Sequence, residues 1–288
     1  MMNHISNTDL ILNQDGSIYH LNLLPEDIAD TVITVGDPER VSEVSQYFDR
    51  IELKKGKREF ITHTGYLGSK RLTVLSTGIG TDNIDIVLNE LDALVNIDFK
   101  TRKLNNKLKS LDIIRIGTSG TVQEDIPMDS IIVSEYGLGL DSLMQYYVHE
   151  LSSDERLLQK AVSTHFYSLK GISPYVSSAD HGLLKTIGKD LIKGITLTAP
   201  GFYSPQGREV RAKASFSGLL KLFRSFSFEG QRITNLEMET AGIYALSKAL
   251  GHKAISINAI LANRVNYKFS SNPAKTIDGA IQLVLARL

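Results

Sequence analysis

The chain has 288 residues, 42% of them hydrophobic and 22% charged, an ordinary globular balance with enough apolar material for a sizeable core. Lysine plus arginine and aspartate plus glutamate number 32 each, so no net charge draws the protein to nucleic acid or to an anionic membrane. Cysteine is absent, which excludes disulfides, thiolate metal sites and a cysteine nucleophile. Residues 1–14 carry no cationic flank followed by an apolar stretch, and no run approaches the roughly 18 apolar residues of a membrane span. A soluble, cytoplasmic protein is expected, with neither a membrane nor a nucleic acid as partner.

In chain order, residues 31–35 (TVITV) predict a strand that ends at Gly36, and residues 41–48 a helix with Pro38 in its first turn. Residues 71–76 predict a second strand, ending in Thr77-Gly78-Ile79-Gly80. Apolar residues at helical spacing predict a helix over residues 82–95. Residues 112–116 (DIIRI) predict a third strand, ending in Gly117-Thr118-Ser119-Gly120, and residues 130–134 a fourth. Later come a strand over 194–199, a helix over 239–250, a strand over 253–261 and a helix over 273–288. This alternation predicts an α/β fold with a mostly parallel or mixed sheet covered by helices. Without a linker or repeat, it reads as one domain over 1–288, with an N-terminal extension (1–18) and a polar surface insertion (98–110). A basic arm in that insertion lacks the aromatic interleaving of single-strand binding platforms.

Strand after strand ends in glycine, threonine or serine, and in α/β sheets ligands sit at those carboxyl ends. Gly36-Asp37-Pro38-Glu39-Arg40 puts a glycine and an arginine on a turn, a pattern suited to an oxyanion. Asn235-Leu236-Glu237-Met238-Glu239-Thr240 puts two carboxylates around a methionine, and carboxylates accept hydrogen bonds from sugar hydroxyls. Each residue also has a plainer reading. Arg40 or Arg58 alone would make a surface ion pair, Met238 would pack in a core, and Glu239 would sit at a helix N-terminus. Arg115 differs, because it lies inside an apolar strand where an unpaired charge is costly.

Five motifs, GDPER (36–40), STGIG (76–80), RIGTSG (115–120), FYSPQGR (202–208) and NLEMET (235–240), resemble in order and spacing those of nucleoside phosphorylases of the uridine phosphorylase type. The resemblance covers residues 20–264. It implies a three-layer α/β/α single domain around a central mixed β-sheet. It also implies a pentosyltransferase that catalyses reversible phosphorolysis of uridine to uracil and ribose 1-phosphate. Its implied phosphate ligands are Gly36, Arg40, Arg58, Arg115 and Thr118, and its ribose ligands His20, Glu237, Met238 and Glu239. Phe202, Gln206, Arg208 and Arg264 are implied at the base, with Arg115, Glu239 and Arg208 as the catalytic groups. No metal or organic cofactor is implied. Inorganic phosphate is the co-substrate, and a monovalent cation is known beside it in the family. Arg58 and His20 are implied to reach into a neighbouring subunit, which requires at least a homodimer; a hexamer of three dimers is the commonest family arrangement.

Purine-specific relatives carry an aspartate after the late strand, where this chain has Asn263, which has no titratable proton to give. A hydrolytic nucleosidase has no use for a full set of phosphate arginines, and a non-catalytic sensor predicts loss of one of them. Three stretches depart from the family pattern: Gly80-Thr81-Asp82-Asn83, Ser204-Pro205, and Leu261-Ala262.

Overall fold

The computed structural model describes residues 4–288 and divides into two compact units. The first comprises residues up to Ile114 together with Leu250–Lys253, and the second comprises Arg115–Ala249 and Ala254–Leu288.

In the first unit, β1 (Thr31–Val35) is a β-branched run buried from Val32 onward. Helix α1 (Pro38–Ser45) follows, its start fixed by the Asp37 side chain accepting the Glu39 N–H and by Pro38 in the first turn. The helix begins at Pro38 rather than residue 41. Strands β2 (Arg50–Lys57), β3 (Phe60–Leu67) and β4 (Lys70–Ser76) add antiparallel neighbours, and β4 pairs with β1 in parallel, giving the order β2–β3–β4–β1. Helix α2 (Thr81–Asn96) buries Ile84, Val87, Leu88, Leu91 and Leu94 on one face. The polar insertion forms a two-stranded ribbon, Ile97–Asp98 against Lys103–Leu104. The Arg102 guanidinium donates to the carbonyls of Ile5, Ser6 and Leu10, so the insertion and the N-terminal extension hold each other.

Strand β5 (Asp112–Thr121) starts in the first unit and continues into the second. The sequence reading ended it at residue 116, because Gly-Thr-Ser-Gly has the composition of a loop. Pairing of Gly120 and Thr121 with Leu236 and Asn235 keeps the backbone extended, and tertiary context overrides local propensity. The second unit continues with β6 (Ile131–Gly139), α3 (Ser153–His165), β7 (Tyr175–Ser178), β8 (Ile192–Thr198), β9 (Gln231–Glu237), α4 (Thr240–Leu250), β10 (Lys253–Asn263) and α5 (Pro273–Ala286).

Strands β9, β8, β6, β10 and β5 lie side by side in that order, and β5 pairs again with β9, so the five close into a ring. Parallel and antiparallel pairs both occur, which is the mixed sheet expected. One face of the ring packs on an apolar core that includes Leu138, Val162, Phe166, Leu197, Phe223 and Leu236.

Glu155, fully buried in α3, completes a capping box with Ser152. Its carboxylate also accepts from the Ser178 N–H and hydroxyl and from Lys248 Nζ at 2.5 Å. Burial works against its charge, but these donors outweigh burial and hold the carboxyl down at about 2. Among the described residues, no helix is long and apolar enough to cross a membrane.

Candidate active site

The second unit holds most of the sequence-predicted residues: Arg115 and Thr118 within β5, Glu237 at the carboxyl end of β9, and the others in the segments that follow β8, β9 and β10. Arg115 is buried, and its Nη2 lies 2.6 Å from Glu239 Oε2 and 3.0 Å from Glu237 Oε2. Nη1 donates to Asn258 Oδ1 at 3.1 Å and to Ser256 Oγ at 3.5 Å. Burial disfavours this charge, and the two carboxylates more than restore it, so the guanidinium is held above its ordinary range. A guanidinium has five N–H donors, and Nε takes no part in these four contacts.

The side chain folds back along its own strand. A Cβ on Gly117 would lie 1.7 Å from Arg115 Nη1, so glycine at 117 is what leaves room for the guanidinium.

Glu237 does more than face an arginine. It accepts the backbone N–H groups of Glu239 and Thr240, and the Thr198 hydroxyl donates to it at 2.6 Å. It thus occupies the N-terminus of α4, the place the sequence reading gave to Glu239 as the plainer alternative. Met238, half-buried, stands between the two buried carboxylates. Thr118 is half-buried one residue beyond Gly117.

The base-side residues form a second group. Ser204–Gln206 is one short helical turn, closed by Gly207 at φ 70, a left-handed conformation that suits glycine. This turn sends the Arg208 N–H back to the Tyr203 carbonyl. The Arg208 guanidinium then lies 3.8 Å over the Phe202 ring and donates to the Phe202 carbonyl and to Gln206 Oε1, at 2.6 and 2.7 Å. Gln206 is buried, whereas Phe202 is exposed, offering an aromatic face. Burial, and then the charge of Arg264, lower Arg208 to about 10, and burial lowers Arg264 as well. Arg264 Nη1 is buried and, among the described residues, has no hydrogen-bond partner. Two crowded, partly desolvated guanidinium groups favour whatever negative charge comes between them.

Asn263 is buried with its amide spent on the backbone: Oδ1 accepts from Val265 and Asn266, and Nδ2 donates to the Gln123 carbonyl.

In the first unit, Gly36 lies between β1 and α1 and Arg40 in the first turn of α1, with Arg40 Nε 3.9 Å from Glu43. His20 and Arg58 both flank Tyr19: the His20 ring packs edge-on at 4.8 Å, and the Arg58 guanidinium lies 5.9 Å from the ring centre. Glu90 takes His20 Nδ1 at 2.6 Å together with the backbone N–H groups of His20 and Leu21, which ties the imidazole to α2. Arg58 sits exposed in the two-residue turn between β2 and β3 with φ 57.

Sequence reasoning missed Ser256, Asn258 and Thr198. The signal was present as polar residues alternating with apolar ones in the buried stretches of β8 and β10.

The family model described as the phosphorylase superfamily matches residues 30–280. A uridine phosphorylase of Thermococcus kodakarensis is 30% identical over 89% of this chain and 81% of its own length. A DeoD-type purine nucleoside phosphorylase of Buchnera aphidicola is 24% identical over 92% of this chain and 97% of its own. Among solved structures, a Trypanosoma brucei nucleoside phosphorylase, described as showing uridine phosphorylase activity, superposes with a TM-score of 0.88 at 29% identity, covering 97% of this chain and 99% of that one. The match spans both units and all five sequence motifs. This chain belongs to the phosphorylase superfamily.

Proposed function

We propose that this protein is a pyrimidine nucleoside phosphorylase that converts uridine and phosphate reversibly into uracil and ribose 1-phosphate. Relatives named for uridine and for purine nucleosides both match the chain, so the base loop has to decide. The carrying observation is the Phe202–Gln206–Arg208 group with Arg264 beside it. An aromatic face, an amide that both donates and accepts, and a guanidinium suit the O4, N3–H and O2 edge of uracil. Asn263, engaged with the backbone, has no proton to deliver to a purine.

The C1′–N1 bond breaks with its electron pair leaving on the base, and a phosphate oxygen bonds to C1′ from the opposite face. Positive charge on the sugar is met by the phosphate, and negative charge on the base by Gln206 and Arg208. His20, Met238, Glu237 and Glu239 fix the ribose. Gly36, Arg40, Arg58, Arg115 and Thr118 hold the phosphate. Positioning and electrostatic preorganisation supply the acceleration. We read the two units as parts of one catalytic domain, since the family model spans both. Arg58 and His20, grouped around Tyr19, would serve the site of a second subunit in a homo-oligomer working in the cytoplasm.

Uridine, thymidine and inosine, each incubated with and without phosphate, provide the test. Base release from uridine only with phosphate is the expected result. Release without phosphate would mean a nucleosidase, and activity on inosine alone would overturn the pyrimidine assignment. Gly117→Ala is a finer probe. The added methyl displaces the Arg115 guanidinium, and kcat/KM for phosphate should fall by about 100-fold, the cost of a misplacement near 1 Å. Steady-state kinetics with varied phosphate measure this; an unchanged value would show that the guanidinium can be placed another way.

A further inference from the structure

Two segments of the first unit supply nothing to the five motifs or to the candidate active site: the N-terminal extension (1–18) and the polar insertion (98–110). Both line one cavity of about 880 Å³, together with the stretch around Pro25 and the last turn of α2. Its apolar lining comes from Leu12 in the extension, from Leu24, from Leu94 and Val95 of α2, and from Ile97 and Phe99 beyond it.

The walls are tied to one another. Asn96, buried at the end of α2, exchanges two bonds with the Lys109 backbone: its Oδ1 accepts the N–H at 2.7 Å, and its Nδ2 donates to the carbonyl at 3.1 Å. Asn105 holds the insertion to α2, its N–H donating to the Asn96 carbonyl and its Nδ2 to the Val95 carbonyl. Arg102 holds the insertion to the extension through the carbonyls of Ile5 and Ser6. Leu12 bridges to Ile18 across the turn that carries Asp15 and Gly16. The cavity is therefore preformed, and its volume falls in the range of small-molecule sites.

Charge around the opening is uneven. Asp15, Glu26 and Asp98 line it against Lys100 and Lys109, and Lys109 is already paired with Asp30, which does not line the cavity. Lys55, whose charge reaches Asp15, is itself paired with Asp27 at 2.6 Å. The Ser17 hydroxyl and N–H donate to Asp15, and the Thr101 and Lys100 N–H groups to Asp98, which holds both carboxyls below their ordinary range. Glu26 is exposed, and its carboxylate has no hydrogen-bond partner among the described residues. Three carboxylates thus stand against one ammonium that is not engaged elsewhere. An anion would be repelled here, and a neutral hydrocarbon would gain nothing from the acids.

We propose that this cavity is a binding site for an organic cation with an apolar ring, of the arylalkylamine class. The ring lies on the surface made by Leu94, Val95 and Phe99, and the ammonium meets the carboxylates of Asp15, Glu26 and Asp98. No residue of this site belongs to the candidate active site, so the assignment stands apart from the choice of base.

Tryptamine is the probe. The chain has no tryptophan, so the indole alone fluoresces when excited beyond the tyrosine absorption. Its anisotropy should rise saturably as protein is added. Tryptophol, with a hydroxyl in place of the ammonium, should bind about three- to tenfold more weakly, and indolepropionate, an anion, more weakly still. Glu26→Lys reverses an exposed charge and should weaken tryptamine by about three- to fivefold while leaving tryptophol unaffected. Phe99→Ala should weaken all three ligands alike, by about two- to tenfold. If loss of that ring unsettles the insertion, Glu26→Lys decides alone. No saturable binding of tryptamine up to about 10 mM would overturn the proposal, and is the result expected if the cavity takes a polypeptide segment instead. Equal affinity for tryptamine and tryptophol, an unchanged affinity in Glu26→Lys, or displacement of tryptamine by uridine with phosphate would overturn it as well.

Discussion

Arg115→Met is expected to lower kcat/KM for phosphate by about 100- to 1,000-fold, the usual effect of deleting one preorganised donor to a developing charge. It should also destabilise the fold by about 3–5 kcal/mol, because Glu237 and Glu239 would remain buried without their cation. The two effects come from different parts of one side chain. Nη1 and Nη2 are committed to Asn258, Ser256 and the two glutamates, and they carry the stability. Nε takes no part in those bonds, and the proposed function assigns it to the phosphate. KM for uridine should therefore change much less than KM for phosphate, and urea unfolding should report the stability loss independently. Equal losses for both substrates would reduce Arg115 to a structural pair for Glu237 and Glu239.

The second large effect lies away from the site, at Glu155. Its folded-state carboxyl titrates at about 2 against an ordinary 4.5, a depression caused by Lys248 and by the Ser152 and Ser178 donors acting against burial. A depressed carboxylate contributes stability that is present in full above the unfolded value of 4.5. That stability is lost as pH falls through the folded value near 2. The gap corresponds to about 3 kcal/mol at neutral pH. Glu155→Gln should be destabilised by about that amount at pH 7, with the difference from wild type shrinking below pH 4.5. Urea unfolding at pH 7, 5 and 3.5 reads this directly. A difference that stays constant across the three values would show that packing, and not charge, holds Glu155.

Legibility in the sequence followed how local each cause was. Strand β1 and helices α2 and α5 were readable because β-branched runs and helical spacing are properties of neighbouring residues. Strand β2 was not, since Arg-Ile-Glu-Leu-Lys-Lys-Gly-Lys at a sheet edge looks like a solvated stretch until β3 is placed beside it. Helix α3 went unread although Ser152 and Glu155 carried the capping-box spacing. Motif residues at strand ends stood out in the same way, as glycines and arginines breaking an apolar run. The polar side chains that hydrogen-bond between the ring's strands did not. Each is one serine, threonine or asparagine in a buried strand, and its meaning comes from partners far along the chain. Gly117 belongs with them, since only the folded Arg115 side chain explains why a methyl is excluded there.

The assignment of Leu250–Lys253 to the first unit bears on how the protein is made. His252 accepts the Leu111 N–H on Nδ1 and places Nε2 3.3 Å from Asp92, and the Lys253 N–H donates to the Leu111 carbonyl. A ribosome that has released residues up to Ile114 has therefore not yet supplied everything the first unit uses. Its closing piece emerges well over a hundred residues later, after β6, β8, β9 and α4 have been synthesised. Completion of the first unit is thus tied in time to the emergence of most of the second.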